Sequence, residues 1–242
     1  MVKLIFYRIY QILISFPLLF VATVITALTT ATGSLLFGGR FWGYWPPHIW
    51  SRIFCALTLV RVKVSGRENI DKNTSYVFIS NHQGAYDIFA IYGYLNHNFK
   101  WMMKESLKKI PLVGYACTCA GHIMVNRTDP HAIRQTMDEA RQRLQGGMSI
   151  VVFPEGSRSK DGYMAPFKKG AFLLASQFGL PLVPVTLDGS YDIMTKSARL
   201  PRWGTIRMTI HKPLEQQGGK LSDLMEQTHS IINSSLTKYK QA

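Results

Sequence analysis

The twelve residues 76–87, Tyr76-Val77-Phe78-Ile79-Ser80-Asn81-His82-Gln83-Gly84-Ala85-Tyr86-Asp87, decide how this chain is read. The apolar run 76–80 predicts a strand. A polar loop with a histidine and a carboxylate five positions apart follows, and a helix after it.

The same alternation extends outward. Val60, Val62 and Val64 alternate ahead of Ser65-Gly66 and predict an earlier strand, and short apolar runs at 99–103, 122–126, 149–153, 182–187 and 205–211 predict five more. Between them, Ile133, Met137, Ala140 and Leu144 recur at helical spacing over residues 130–145. Asp129-Pro130 supplies a start signal and Gly146-Gly147 a stop. Residues 168–178 predict a helix closed by Gly179 and Pro181, and residues 221–236 a more polar one. Strands alternating with helices predict an α/β fold, a mostly parallel central sheet flanked by helices, over residues 58–242. No repeat or low-complexity tract calls for a second globular domain.

Residues 1–57 differ in kind. After Lys3 and Arg8 no charged residue occurs until Arg40, and the interval is rich in Ile, Leu, Val and Phe. The apolar stretch exceeds the ~7–15 residues of a signal peptide core. A single transmembrane helix needs about 20 apolar residues, yet both flanks are basic: Lys3 and Arg8 before, Arg40, Arg52, Arg61 and Lys63 after. Two short helices entering one leaflet would put both basic flanks on one face, with Pro17 as the place to bend. Phe41, Trp42, Tyr44, Trp45 and Trp50 then sit where aromatic side chains favour the headgroup region. A membrane-embedded hairpin is the preferred expectation over a single span.

Lys and Arg exceed Asp and Glu by 28 to 14, a net charge of +14 that favours anionic surfaces. No helix-turn-helix, zinc finger or aromatic RNA-binding pattern accompanies it, so an anionic membrane surface is expected as partner and nucleic acid is not. Three cysteines, Cys55, Cys117 and Cys119, match neither a disulfide framework nor a common zinc pattern, and small buried thiols in a reducing compartment are expected.

The chemistry lies in four polar blocks. An imidazole can take a proton from an alcohol, and a carboxylate beside it fixes the tautomer and stabilises the imidazolium, so His82 and Asp87 form a candidate general-base pair. The block Phe153-Pro154-Glu155-Gly156-Ser157-Arg158-Ser159 also ends a predicted strand, and ligand sites in α/β sheets gather at strand C-termini. Within it Arg158 can fork onto a phosphate and Glu155 can accept from a substrate hydroxyl, with Gly156 and Ser157 between them counted among the substrate-binding residues. Arg127, closing Gly121-His122-Ile123-Met124-Val125-Asn126-Arg127, is a second candidate phosphate ligand. Lys104, Lys168 and Lys169 are further candidate cations, the last two at a helix start where an anion would offset their conflict with the dipole. There is no Gly-rich nucleotide loop and no Gly-x-Ser-x-Gly elbow, which disfavours an acyl-serine route.

Together these blocks resemble the 1-acyl-glycerol-3-phosphate acyltransferase family. Residues 81–87 look like its His-x4-Asp block, 121–127 its Gly-x-Ile-x-x-x-Arg block and 153–159 its Phe-Pro-Glu-Gly-Thr-Arg-Ser block, while Val183-Pro184-Val185 resembles the fourth. Lys104, Leu107, Pro111 and Gly114 fall between the first two as the family pattern does. Ser157 stands where threonine is usual, Asn126 where aspartate is frequent, and Gly84-Ala85-Tyr86 departs from the Ser-rich versions. The resemblance implies that His82 acts as base and Asp87 orients it, with no covalent enzyme intermediate. It implies transfer of an acyl group from acyl-CoA or acyl carrier protein to lysophosphatidic acid, with Arg127 and Arg158 on the phosphate and Glu155 on the glycerol. No cofactor or metal is implied, and a membrane-associated site facing the cytoplasm is expected, at the inner membrane in a bacterium. A sister acyltransferase with another acceptor, such as glycerol 3-phosphate, and a non-catalytic lipid-binding protein are the alternatives.

Overall fold

The computed structural model describes residues 2–125, 148–215 and 220–240. Within them seven strands form one sheet: β1 (Val60–Ser65), β2 (Val77–Ser80), β3 (Phe99–Lys104), β4 (Ile123–Val125), β5 (Ser149–Val152), β6 (Leu182–Asp188) and β7 (Gly204–Ile210). Their spatial order is β1-β7-β6-β2-β5-β3-β4, and only the β6/β7 pair is antiparallel. The expected α/β architecture and every expected strand are present. The predicted helix over 130–145 and the residues Asn126 and Arg127 lie outside the described residues.

The central strand β2 shows why the sheet forms here. Val77, Phe78 and Ile79 have no exposure, as expected of a parallel strand covered on both faces. Its two-residue period sends alternate side chains to opposite sides. Val77 and Ile79 pack with Phe172, Leu174 and Ala175 of a helix (Gly170–Phe178) and Ile232 of another (Leu221–Ser234). Phe78 joins the other core with Cys55, Tyr86, Ala90 and Ile91.

At the N-terminus α1 (Val2–Tyr10), a π-helical turn (Gln11–Ser15) and α2 (Phe16–Phe37) form one unbroken helical run. The expected break at Pro17 is absent: the chain reverses later, around Gly38 at φ 90°, and α3 (Trp45–Leu57) packs back on α2. Proline lacks an N–H and crowds the carbonyl four residues earlier. The wider π turn immediately before Pro17 opens the ladder there and lets the helix continue.

The run of 36 residues is about 54 Å long at 1.5 Å per residue. It is apolar and long enough to cross a membrane by length and composition, yet both of its ends are fastened to the same domain. Near its start Tyr7 Oη donates to the Thr58 carbonyl (2.7 Å), and Arg8 (2.7 Å) and Gln11 (3.2 Å) donate to that of Pro201. Just past its end Lys100 Nζ donates to the Gly39 carbonyl (2.6 Å) and Asn98 Nδ2 to that of Arg40 (3.0 Å). The helix thus lies along the domain, with Phe6, Leu13, Phe20, Ile25, Leu36 and Phe37 pointing outward and exposed.

A further helix, α4 (Tyr86–Tyr94), follows the β2 loop, and α5 (Val113–Cys119) packs on α2. Cys117 and Cys119, expected as buried thiols, lie on α5, which packs on α2, and are half-buried; Cys55 is buried.

Candidate active site

Strands β2 and β5 run parallel in register, with Ile79 opposite Val152, so the loops that follow them leave the sheet side by side. One carries His82, the other the segment from Phe153 to Arg158. Asn81 closes β2: buried completely, it donates to the Leu187 carbonyl and accepts from the Leu187 amide, both at 2.8 Å. That double bond sets where the next residue leaves the sheet.

His82 Nδ1 lies 2.8 Å from Asp87 Oδ2, which also accepts from the Gly84 amide at 2.9 Å. Asp87 is fully buried in the first turn of α4, where the helix dipole favours a carboxylate. A carboxylate only accepts, so Nδ1 carries the imidazole proton and Nε2 keeps its lone pair. The His82 side chain is 13% exposed, enough for Nε2 to meet a substrate. The Phe153 ring stacks on the imidazole at 4.0 Å and 10°, and Trp101 stacks on Phe153 at 5.5 Å. The imidazole is held in plane from two directions.

Glu155, expected as an acceptor for a substrate hydroxyl, is engaged by the backbone. Its Oε1 accepts from the His82 amide (2.6 Å) and its Oε2 from the Ala165 amide (2.9 Å), in a site where the residue is 4% exposed. A buried carboxylate must be satisfied, and here it ties the loop bearing His82 to the loop after β5. Burial pushes its pKa up to about 7, which the two amide donors only partly offset, with the nearby Asp87 charge adding to the rise.

A folded pKa above the unfolded value means that the native state holds the extra proton, so this contribution to stability is complete below the unfolded value of 4.5 and fades as pH rises through about 7. Melting temperature measured from pH 5 to 8 should fall more steeply for the native chain than for Glu155→Gln. Parallel curves would remove Glu155 as the source.

The neighbouring residues fall as follows. Gly156, half-buried at φ 80°, closes a turn by donating to the Phe153 carbonyl at 3.1 Å, Ser157 is exposed, and Arg158 is half-buried with no ion pair among the described residues. Lys168 and Lys169 are exposed just before the helix at Gly170–Phe178, and the Lys168 amide donates to the Pro154 carbonyl at 3.1 Å, so this pair borders the same loop. Lys104 is exposed at the end of β3, two strands from β2. Arg127 lies outside the described residues. Ser159 was not singled out, although its amide donates to the His82 carbonyl at 2.8 Å; neither were Asn81 and Phe153. Only their positions within the two blocks could have signalled these roles.

An apolar cavity of about 250 Å³ lies between α2, α3, α4, β3 and α5. Ala27 and Thr30 line it from the N-terminal helix, Ile88 and Tyr92 from α4, Trp101 and Met103 from β3. Trp101 connects it through Phe153 to His82.

The family model described as Acyltransferase matches residues 61–188, spanning β1 through β6 and both polar loops. A chloroplastic 1-acyl-sn-glycerol-3-phosphate acyltransferase of Brassica napus, BAT2, is 33% identical over 194 residues, covering 78% of this chain and 56% of that one. The alpha form of 1-acyl-sn-glycerol-3-phosphate acyltransferase of Homo sapiens is 30% identical over 183 residues, covering 75% and 65%. The chain thus spans somewhat over half the length of such relatives. The crystal structure of the 1-acyl-sn-glycerophosphate acyltransferase PlsC from Thermotoga maritima superposes with a TM-score of 0.77 at 26% identity, over 93% of this chain and 94% of that one. With the matched region holding His82 just past β2 and its partner Asp87 in the first turn of α4, the chain belongs to the acyltransferase family.

Proposed function

We propose that the protein transfers a fatty acyl group from a thioester donor, acyl-CoA or acyl carrier protein, to the sn-2 hydroxyl of 1-acyl-sn-glycerol 3-phosphate, forming phosphatidic acid. The observation that carries this reading is the His82/Asp87 pair, linked through Phe153 and Trp101 to an apolar cavity, in a chain whose relatives bear that name. His82 Nε2 takes the hydroxyl proton as the oxygen bonds to the thioester carbon. The C–S bond then breaks, and the leaving thiolate recovers the proton from the imidazolium, whose charge Asp87 offsets. The cavity accommodates the donor's acyl chain, and Arg158 with the bordering Lys168 and Lys169 meets the phosphate. Release of free thiol in the presence of 1-acylglycerol 3-phosphate, compared between the two donors and with glycerol 3-phosphate as acceptor, tests it. No thiol release with any pair would overturn it in favour of lipid binding without catalysis.

Arg158→Ala should raise the KM for the acceptor about ten- to a hundredfold, the weight of a charged hydrogen bond of about 1.5–3 kcal/mol, with kcat little changed. An unaltered KM removes Arg158 from the phosphate.

The site is proposed to face the cytoplasm from one leaflet, with α1, α2 and α3 embedded by their exposed apolar faces. A helix bonded to the domain at both ends supports this, as do the basic residues Lys3, Arg8 and Arg40 around those ends. Cysteines placed as Lys3→Cys and Arg61→Cys in proteoliposomes should label from the same side. Labelling from opposite sides excludes the one-leaflet arrangement.

A further inference from the structure

The loop at residues 82–87 is clamped between two other segments of the chain. On one side lies the turn at residues 159–163: Ser159 donates its amide to the His82 carbonyl (2.8 Å), and Gln83 Nε2 donates to the Gly162 carbonyl (2.5 Å). Gly162 in turn donates its amide to Ser159 Oγ at 2.9 Å. On the other side lies the short helix Ser190–Ile193. The Met194 carbonyl just after it accepts from the Ala85 amide (3.1 Å), and a Cβ on Gly84 would come within 2.3 Å of the Ser190 carbonyl.

Residues 237–239 bridge these two supports. The Tyr239 ring lies flat on Gly162, where a Cβ would meet it at 2.6 Å, and Gly162 itself has φ 96°. Edge contacts with Tyr163 and Tyr191, one from each support, surround the same ring, at 5.9 and 4.9 Å. Tyr239 Oη donates to Asp192 Oδ1 at 2.9 Å, and Lys238 Nζ reaches both Asp192 oxygens at 2.9 and 3.1 Å. Thr237 Oγ1 adds a bond to Asp188 Oδ2 at 2.7 Å. Tyr239 holds a left-handed backbone, φ 61°, which a residue with a Cβ adopts only where its surroundings impose it.

We propose that residues 237–239 form a brace that locks the two supports of the His82 loop together, with Tyr239 as a positioning residue for catalysis. The proposal rests on the acyl-transfer reading for its kinetic consequence, but its structural content stands apart from it. Tyr239 touches neither His82 nor Asp87 among the bonds and ring contacts described. Its effect passes through Gly162 to Gln83 and through Asp192 to the turn that holds Ala85, so it governs how well Nε2 is aimed and not how tightly substrate binds.

In the full chain, Tyr239→Ala should lower kcat about tenfold, because small displacements of a catalytic group are costly. The acceptor KM should stay unchanged, and deuterium uptake should rise in peptides covering 82–87 and 159–163. Tyr239→Phe keeps the ring on Gly162 and should restore kcat to within about twofold of the native chain. Asp192→Asn should produce a smaller loss in the same direction and serves where Tyr239→Ala does not fold. An unchanged kcat in Tyr239→Ala, equal losses in the alanine and phenylalanine variants, or uptake confined to 236–240 would each overturn the brace. If the native chain released no thiol, the acyl-transfer reading would fail while the uptake measurements still decided the brace.

Discussion

His82→Ala should lower kcat for thiol release by about 10²–10⁴-fold, the usual contribution of a positioned general base, while acceptor and donor KM values change little. Removing the ring takes away the imidazole that would accept the hydroxyl proton, and the neighbouring Glu155 is buried and engaged by two amides. The fold should tolerate it. The loop keeps its backbone bonds, with the His82 amide on Glu155 and its carbonyl receiving the Ser159 amide. The stacking partner Phe153 loses one face, so a small fall in melting temperature is expected beside the kinetic loss. A His82→Ala enzyme with more than about a tenth of native kcat excludes His82 as the base.

Asp87→Asn should cost nearly as much, about 10²–10⁴-fold in kcat, by analogy with the loss seen when the carboxylate of a catalytic triad becomes an amide. The surroundings of Asp87 explain why an amide cannot substitute. Oδ2 receives both the His82 Nδ1 proton and the Gly84 amide, whereas Oδ1 is buried with no hydrogen bond among the described residues. If the asparagine oxygen takes the Oδ2 position, its amide nitrogen is stranded at the Oδ1 position. If it turns the other way, an N–H faces both the Gly84 amide and Nδ1, and the imidazole is forced into the tautomer whose Nε2 is protonated and useless as a base. Either orientation also loses the negative charge that offsets the imidazolium. Retention of native kcat in Asp87→Asn, measured alongside an unchanged circular-dichroism spectrum, would show that His82 works unaided.

Much of this was legible in the residues. Short apolar runs are strong signals when helical stretches separate them, and each of the seven predicted strands appears within a residue or two of its predicted position. The polar blocks were legible because ligand sites in α/β sheets gather where strands end, and both blocks follow predicted strands. The two backbone bonds of Glu155 were not legible because a carboxylate in a motif looks the same whether it meets a ligand or two buried backbone amides. Only the arrangement of the two adjacent loops distinguishes these. Pro17 misled, since a local rule for breaking helices cannot anticipate the π turn that accommodates it.

Local sequence alone therefore determined the class of fold, the strand positions and the pairing of His82 with Asp87 as the candidate base and its carboxylate. Hydrophobic periodicity and side-chain chemistry are properties of short segments, carried by the chain before it folds. Tertiary structure alone decided that Glu155 supports the loop, that the N-terminal helix lies along the domain, that Trp101 and Phe153 link an apolar cavity to His82, and that Tyr239 reaches Gly162. Each of these depends on contacts between residues far apart in sequence, and such contacts exist only once sheet order and register have brought the segments together.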